Sequence, residues 1–193
     1  MPPPSSSSKI IAMLDYLDFP LQPHRVIAVD VDTSSGMIRS IRIVPASEAS
    51  TQPNTILAFS PPFQAARRFF DIYFASSAPH AIETATRALL PYLEIGRTTF
   101  ARKVRQTLLA SIALGDTATY AELASLLGNP RAARAVGQCL AKNPYHIVIP
   151  CHRIISKDPE KFYYAAGSEI KRELLKYEAR CIHAPVTAQI PFC

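Results

Sequence analysis

Tryptophan is absent from the 193-residue chain, and cysteine occurs only four times, at 139, 151, 181 and 193. Four is too few for a disulfide scaffold, so a reducing compartment is expected and any special cysteine stays a free thiol. With none before Cys139, a cysteine-built zinc site in the first half is not expected either. No run of about 18 apolar residues is present, which argues against a transmembrane helix and a membrane partner. The opening Met1–Ser8 has no basic head, and Asp15 and Asp18 interrupt the apolar stretch after it. A secretory signal is therefore not expected, and residues 1–8 read as a disordered tail. No internal repeat is visible. His24 and His80 have no cysteine or carboxylate at ligand spacing, and Cys181-x-His183 is too sparse a pattern, so no metal is expected.

What the chain does have is apolar mass and lopsided charge. Hydrophobic residues are 48 % and charged residues 19 % of the total, which excludes global disorder. The length fits one domain of average size or two small ones. Net charge is +6. Residues 1–96 carry 7 Lys and Arg against 8 Asp and Glu, whereas residues 97–180 carry 14 against 7. A basic half-chain suggests a polyanionic partner, with a solubility surface as the plainer alternative.

Arg25–Asp32 and Ile38–Val44 alternate apolar and polar residues around Ser34-Ser35-Gly36, the pattern of a β-hairpin. Ser60-Pro61-Pro62 reads as a helix start, followed by Phe63, Ala66, Phe70 and Phe74 at helical spacing. The first half is thus a small α+β unit without a catalytic motif. Beyond Gly96, Thr99 is placed to cap a helix with the stripe Phe100, Val104, Leu108 and Ile112, ended by Gly115. Thr119 and Glu122 form a capping box. Tyr120, Leu123, Ala124 and Leu127 then make a short buried stripe, closed by Gly128. Asn129 and Pro130 are expected to open a third helix with Ala133, Val136, Gly137 and Leu140 inward and Arg131, Arg134 and Gln138 on another face. Two short helices around a tight turn, the second bearing arginines, have the form of a helix-turn-helix. An ordinary helical hairpin is the alternative, but Ala132, Ala133, Ala135 and Gly137 keep the second helix thin enough for close approach to a nucleic acid groove.

After Asn143-Pro144 an apolar strand is expected over His146–Ile149, running into Pro150-Cys151-His152-Arg153. A free thiol has pKa about 8.5, and a neighbouring histidine or cation can make it a usable nucleophile. A buried structural cysteine beside a surface histidine is the alternative.

The string from Gly128 to Gly137, then Asn143-Pro144, then Ile149-Pro150-Cys151-His152-Arg153, resembles the O6-alkylguanine-DNA alkyltransferases. The similarity runs from about Phe100 to Glu178. The resemblance implies an α+β fold: an N-terminal α+β domain of ribonuclease-H-like type over residues 9–95, then a mainly helical, winged-helix-like domain over 96–180, with a tail at 181–193. It implies double-stranded DNA as partner, bound through the minor groove by a monomer. An O6-alkylguanine (chiefly O6-methylguanine, also O4-alkylthymine) would be flipped out of the duplex and its alkyl group moved irreversibly onto Cys151, once per molecule and without a cofactor. Location would be nuclear in a eukaryote and cytoplasmic otherwise.

By the same resemblance the catalytic residues are Cys151, His152, Glu178, Tyr120 and Lys171. His152 would take the thiol proton and Glu178 would orient His152. Arg134 would fill the space left by the extruded base, and Tyr120 would crowd its phosphate. Tyr120, Arg131, Ala132, Ala133, Arg134, Gln138 and Arg153 would face DNA. Asn143, Pro150, Ile154, Tyr164 and Ala165 would line the base pocket. The bland readings stand beside these: Tyr120 as core, Lys171 as a solvated helix charge, Glu178 as a helix-end carboxylate and Cys139 as a small packing residue.

Three features depart from the family pattern. His146 stands where proline is common. The loop Ser156–Tyr163 lacks the usual glycines and has Pro159 and Phe162. Ala166 replaces a common glycine. A tighter pocket that favours methyl over benzyl is expected. Without tryptophan, the first C-terminal helix should pack with something smaller than many relatives use, and without early cysteines no phosphotriester-repair domain is expected. A damage sensor that binds but does not react would lack the nucleophile, which Cys151 argues against. A transcription regulator and a cysteine hydrolase fit less well.

Overall fold

The computed structural model describes residues 11–14, 24–32, 34–48, 59–75, 78–158 and 162–183. The tail expected at 1–8, residues 184–193 of the tail expected at 181–193, and Pro159 lie outside the described residues. The fold mixes sheet and helix.

Strands β1 (Ile11–Leu14), β2 (Arg25–Asp32) and β3 (Met37–Pro45) form an antiparallel sheet in that order. In β3, Ile38 and Ile41 face the main core, kept in phase by a register irregularity at Asp30–Val31, whereas Val44 faces the other side of the sheet with Val26 and Ala28; Val29 pairs with Ile41 at the centre of the β2–β3 ladder. The hairpin closes because Gly36 adopts φ +68° and donates its N–H to Asp32 O at 2.8 Å. Helix α1 (Pro61–Ala75) packs on β2 and β3, and helix α2 (Pro79–Leu89) packs against α1. The buried face of α1 is Phe63, Ala66, Phe69, Phe70 and Tyr73, so Phe69 and Tyr73 belong to a stripe expected to end on Phe74. Phe74 is half-buried and stacks on Phe70 at 6.1 Å.

Helix α3 spans Thr99–Ser111. Its cap is Thr98, not Thr99: the extended backbone of Thr98 (φ −108°, ψ 153°) lets its Oγ1 accept from Ala101 N–H at 3.1 Å. Phe100, expected in the stripe, is 39 % exposed, and Val104 and Leu108 carry the packing. The guanidinium of Arg105 is buried beside them and donates to Ile95 O (2.7 Å) and Lys142 O (3.0 Å). Two of its guanidinium nitrogens are thus held by backbone carbonyls, while the buried Nε has no hydrogen-bond partner.

The capping box opens α4 (Tyr120–Leu126): Thr119 N–H donates to Glu122 Oε2 at 2.6 Å and Glu122 N–H to Thr119 Oγ1 at 3.2 Å. Strand β4 (Ala118–Thr119) pairs in parallel with β5 (Ile154–Ile155). Gly128 takes φ +76° at the turn. Pro130–Ala132 then form a single 3-10 turn, and α5 begins only at Ala133, running to Ala141. Asn129 makes no side-chain cap; its carbonyl accepts from Ala132 N–H instead.

The expected strand at His146–Ile149 is a chain of tight turns. Ile147 sits at φ +68°, Val148 N–H donates to His146 O (2.8 Å), and Cys151 N–H donates to Ile149 O (2.7 Å). The segment is apolar because it crosses the core, not because it joins a sheet. Pro144 and Pro150, which lack N–H groups, bracket it. Helix α6 (Ser168–His183) closes the fold and carries Cys181, buried, inside the region expected to be a tail. The core runs without a break from Ile27 in the sheet to Leu174 and Cys181 in α6.

Candidate active site

Cys151 opens a 3-10 turn, Cys151–Arg153, and is 8 % exposed. Its Sγ accepts from Asn143 Nδ2 at 3.1 Å. The same amide nitrogen lies 2.9 Å from Ile149 O and 3.2 Å from Tyr145 O, and Asn143 Oδ1 accepts from Tyr145 N–H at 3.1 Å. One buried asparagine therefore fixes both ends of the turn segment and the thiol. Burial pushes the Cys151 thiol up; Asn143 and the charge of Lys171 work against that shift without cancelling it. At rest the group is a thiol and needs a base.

His152 is fully buried, with Nε2 2.8 Å from Glu178 Oε1. Burial pushes its pKa down, and Glu178 only partly restores it. A carboxylate can only accept, so the proton belongs on Nε2, and Nδ1, buried with no protein partner, is left with a free lone pair. Burial alone would favour a neutral Glu178, yet His152 and Arg153 hold its carboxyl well below the usual carboxylate range.

Arg153 does not reach the surface where a DNA contact was expected. It is buried, with Nε 2.8 Å from Glu178 Oε2, Nη2 3.0 Å from Oε1, and Nη1 donating to Ile112 O. Its charge is used inside the fold to neutralise Glu178. Lys171 is likewise not a solvated helix charge. It is 1 % exposed, donates to Ile154 O (2.6 Å) and Tyr163 O (3.3 Å), and lies 4.9 Å from the centre of the Phe162 ring. Burial lowers it to about 8 despite the attraction of Cys151.

Tyr164 stacks at a tilt 5.4 Å from His146 and edge-on 6.2 Å from His152. Pro150 is buried before the thiol, Ile154 is buried in β5, and Ala165 is exposed on the turn before α6. Tyr120 is half-buried, and a Cβ at Gly137 would lie 3.7 Å from its ring, an ordinary van der Waals contact. Arg131, Arg134 and Gln138 are exposed, whereas Ala132 and Ala133 are half-buried against the core.

Sequence reading missed three contributors. Tyr73 on α1 donates its hydroxyl to Glu178 Oε1 at 2.7 Å. Tyr145 takes Glu94 N–H at 2.9 Å and gives its own proton to Ile38 O at 3.0 Å. His146 donates its backbone N–H to Ile41 O (2.8 Å) and accepts Ile43 N–H on Nδ1 (3.2 Å). The only available signal was at His146, where a residue with an N–H replaces the more usual proline. Among the described residues there is no group of three or more potential metal ligands, and no helix is long and apolar enough to cross a membrane.

The geometry is that of a protein with a buried thiol, a neutral histidine and an ionised carboxylate behind a helix-turn-helix. Residues 99–180 match the family model described as "6-O-methylguanine DNA methyltransferase, DNA binding domain". The methylated-DNA–protein-cysteine methyltransferase of Methanosarcina barkeri is 40 % identical over 116 residues, 60 % of this chain and 68 % of that protein. The human protein of the same name is 33 % identical over 133 residues, 69 % of this chain and 63 % of that one. The match to the human protein therefore spans less than two thirds of its length. The crystal structure of Mycobacterium tuberculosis OGT in complex with DNA superposes with a TM-score of 0.61 at 25 % identity, covering 91 % of this chain and 95 % of that one. The chain belongs to the methylated-DNA–protein-cysteine methyltransferase family.

Proposed function

We propose that the protein repairs alkylated DNA by direct reversal, taking the alkyl group of O6-alkylguanine onto Cys151 in a single-turnover reaction. One observation carries this reading: a buried Cys151 Sγ held at 3.1 Å by Asn143, next in sequence to a histidine whose Nε2 is 2.8 Å from Glu178. The other ring nitrogen is free to take a proton. The thiol proton passes to His152 Nδ1 through a water, Glu178 stabilises the imidazolium, and Sγ attacks the alkyl carbon in line. The carbon–oxygen bond breaks, the electron pair leaves on guanine O6, and a proton returns to the base with Tyr120 assisting. Lys171, with backbone groups near Ile154 and Ala165, faces the base, and Tyr164 walls the pocket. The thioether product is not readily hydrolysed, so the protein is consumed.

The alkyl carbon is hidden inside a base pair, so the nucleotide must leave the stack. The exposed Arg134 fills its place while Arg131, Gln138 and the small residues Ala132 and Ala133 lie along the minor groove of double-stranded DNA. Residues 9–95 are read as a ribonuclease-H-like domain and 96–180 as the winged-helix-like, DNA-binding and acceptor domain. O4-alkylthymine is a second substrate, action is monomeric and needs no cofactor, and genomic DNA as substrate places the protein in a nucleus or, in a cell without one, the cytoplasm. Binding to damage without chemistry is disfavoured by the nucleophile itself.

Intact mass after incubation with a short duplex bearing one O6-methylguanine tests the reading. A gain of about 14 Da on wild type and none on Cys151→Ala is expected. Lesion binding without mass gain would overturn it in favour of a damage sensor.

A further inference from the structure

We propose that Tyr73 is a positioning residue of the active site: from the N-terminal unit, its hydroxyl takes up part of Glu178 Oε1 and so sets how firmly that oxygen supports His152. The proposal rests on the alkyl-transfer reading only for its kinetic readout.

Glu178 Oε1 has three donors, Tyr73 Oη at 2.7 Å, His152 Nε2 at 2.8 Å and Arg153 Nη2 at 3.0 Å. Oε2 has two, Arg153 Nε at 2.8 Å and Gly115 N–H at 3.4 Å. A carboxylate offers about two lone pairs per oxygen, so Oε1 is oversubscribed and its donors compete. Tyr73 is 1 % exposed, so water does not easily take the hydroxyl's place. Its orientation is fixed by the rings of Phe69 and Phe74 and by Tyr177, whose hydroxyl donates to Tyr73 O at 2.7 Å. Burial and the charge of Glu178 keep the Tyr73 phenol protonated, as a donor must be.

The charged and titratable groups around the pair are few. Arg153 and Lys171 disfavour a protonated His152, Glu178 favours it, and His146 and Tyr164 stack nearby. Cys151 precedes it in the chain, and Tyr177 and Cys181 on α6 face Glu178. None of these changes when the Tyr73 hydroxyl is removed. Without that donor, more negative charge on Oε1 is available to the imidazolium, and His152 becomes more basic.

The test is Tyr73→Phe, with Tyr92→Phe as the control that removes a half-buried hydroxyl of the same unit outside the hydrogen bonds described above. The His152 ring is titrated by NMR on histidine-labelled protein, beside the pH profile of transfer from O6-methylguanine duplex. Tyr73→Phe is expected to raise the His152 midpoint by about half a pH unit or more and to move the acid limb of the rate with it. The control should move neither. If Tyr73→Phe does not fold, 3,5-difluorotyrosine at position 73, a stronger donor of nearly the same shape, should lower the midpoint instead. An unchanged midpoint in the folded variant would overturn the proposal whatever happens to the melting temperature. Absence of transfer in wild type would count against the function and leave the NMR titration to decide Tyr73.

Discussion

A thiol walled by apolar side chains is a poor nucleophile until something takes its proton. At Cys151 the side-chain amide of Asn143 donates to the sulfur. Asn143→Ala removes that bond and the tie between Tyr145 O and Ile149 O. Burial then pushes the thiol further up unopposed by the amide, so transfer at neutral pH is expected to fall about tenfold or more and its alkaline limb to move upward. A rate unchanged at pH 7 would show that the asparagine only braces the turn. His146 offers a test of a different kind. Burial, with Arg42 and His152 adding to it, lowers its pKa from 6.5 to about 4. The unfolded chain therefore binds a proton in the window from about 6.5 down to about 4 where the folded protein does not. Stability from this group is complete above that window and is lost as pH falls through it, by about 3 kcal/mol at most. His146→Asn, measured by denaturant unfolding at pH 7 and pH 5, should flatten the pH dependence; an equally steep loss would assign it to other groups.

Elements were legible where the signal is local. The β2–β3 hairpin, α1 and the capping box of α4 follow from alternation, proline placement and a Thr-x-x-Glu spacing, all of which act within a few residues. Cys151, His152 and Glu178 were singled out through motif and resemblance, and the structure places the His152 ring 2.8 Å from Glu178 directly after Cys151. Tyr73 and the inward turn of Arg153 were not. A tyrosine on an aromatic stripe reads as core, and an arginine after Cys-His reads as surface until the carboxylate it neutralises is located 25 residues away. The tight turns at His146–Ile149 read as a strand because a buried crossing and a buried strand share one apolar pattern. Gly96 shows the same limit. A Cβ there would stand 2.5 Å from the backbone nitrogen of Arg102. Gly96→Ala should therefore push the loop away from the start of α3 and cost about 1–3 kcal/mol, seen as a lower denaturation midpoint. An unchanged midpoint would mean that the loop yields freely.

At the scale of the whole molecule, the sheet is not a bystander to the site. Ile41 receives His146 N–H and donates its own to Pro144 O, Ile43 N–H reaches the His146 ring, and Tyr73 reaches Glu178. Tyr145 joins Glu94 N–H to Ile38 O through one buried hydroxyl. These bonds connect the segment around Cys151 to β3, while a single apolar core runs beneath both halves. Strands and acceptor helices are therefore expected to unfold together, since neither half can open without stripping partners from the other. Calorimetry should give one transition whose enthalpy matches the van't Hoff value. Tyr145→Phe removes the partner of a half-buried N–H and of a buried carbonyl, and should lower stability by about 1–3 kcal/mol without splitting that transition. Two resolved transitions in wild type would show that the halves fold independently. The interdomain bonds would then orient the site without holding the molecule together, and the N-terminal unit would matter to the chemistry through the Tyr73 hydroxyl alone.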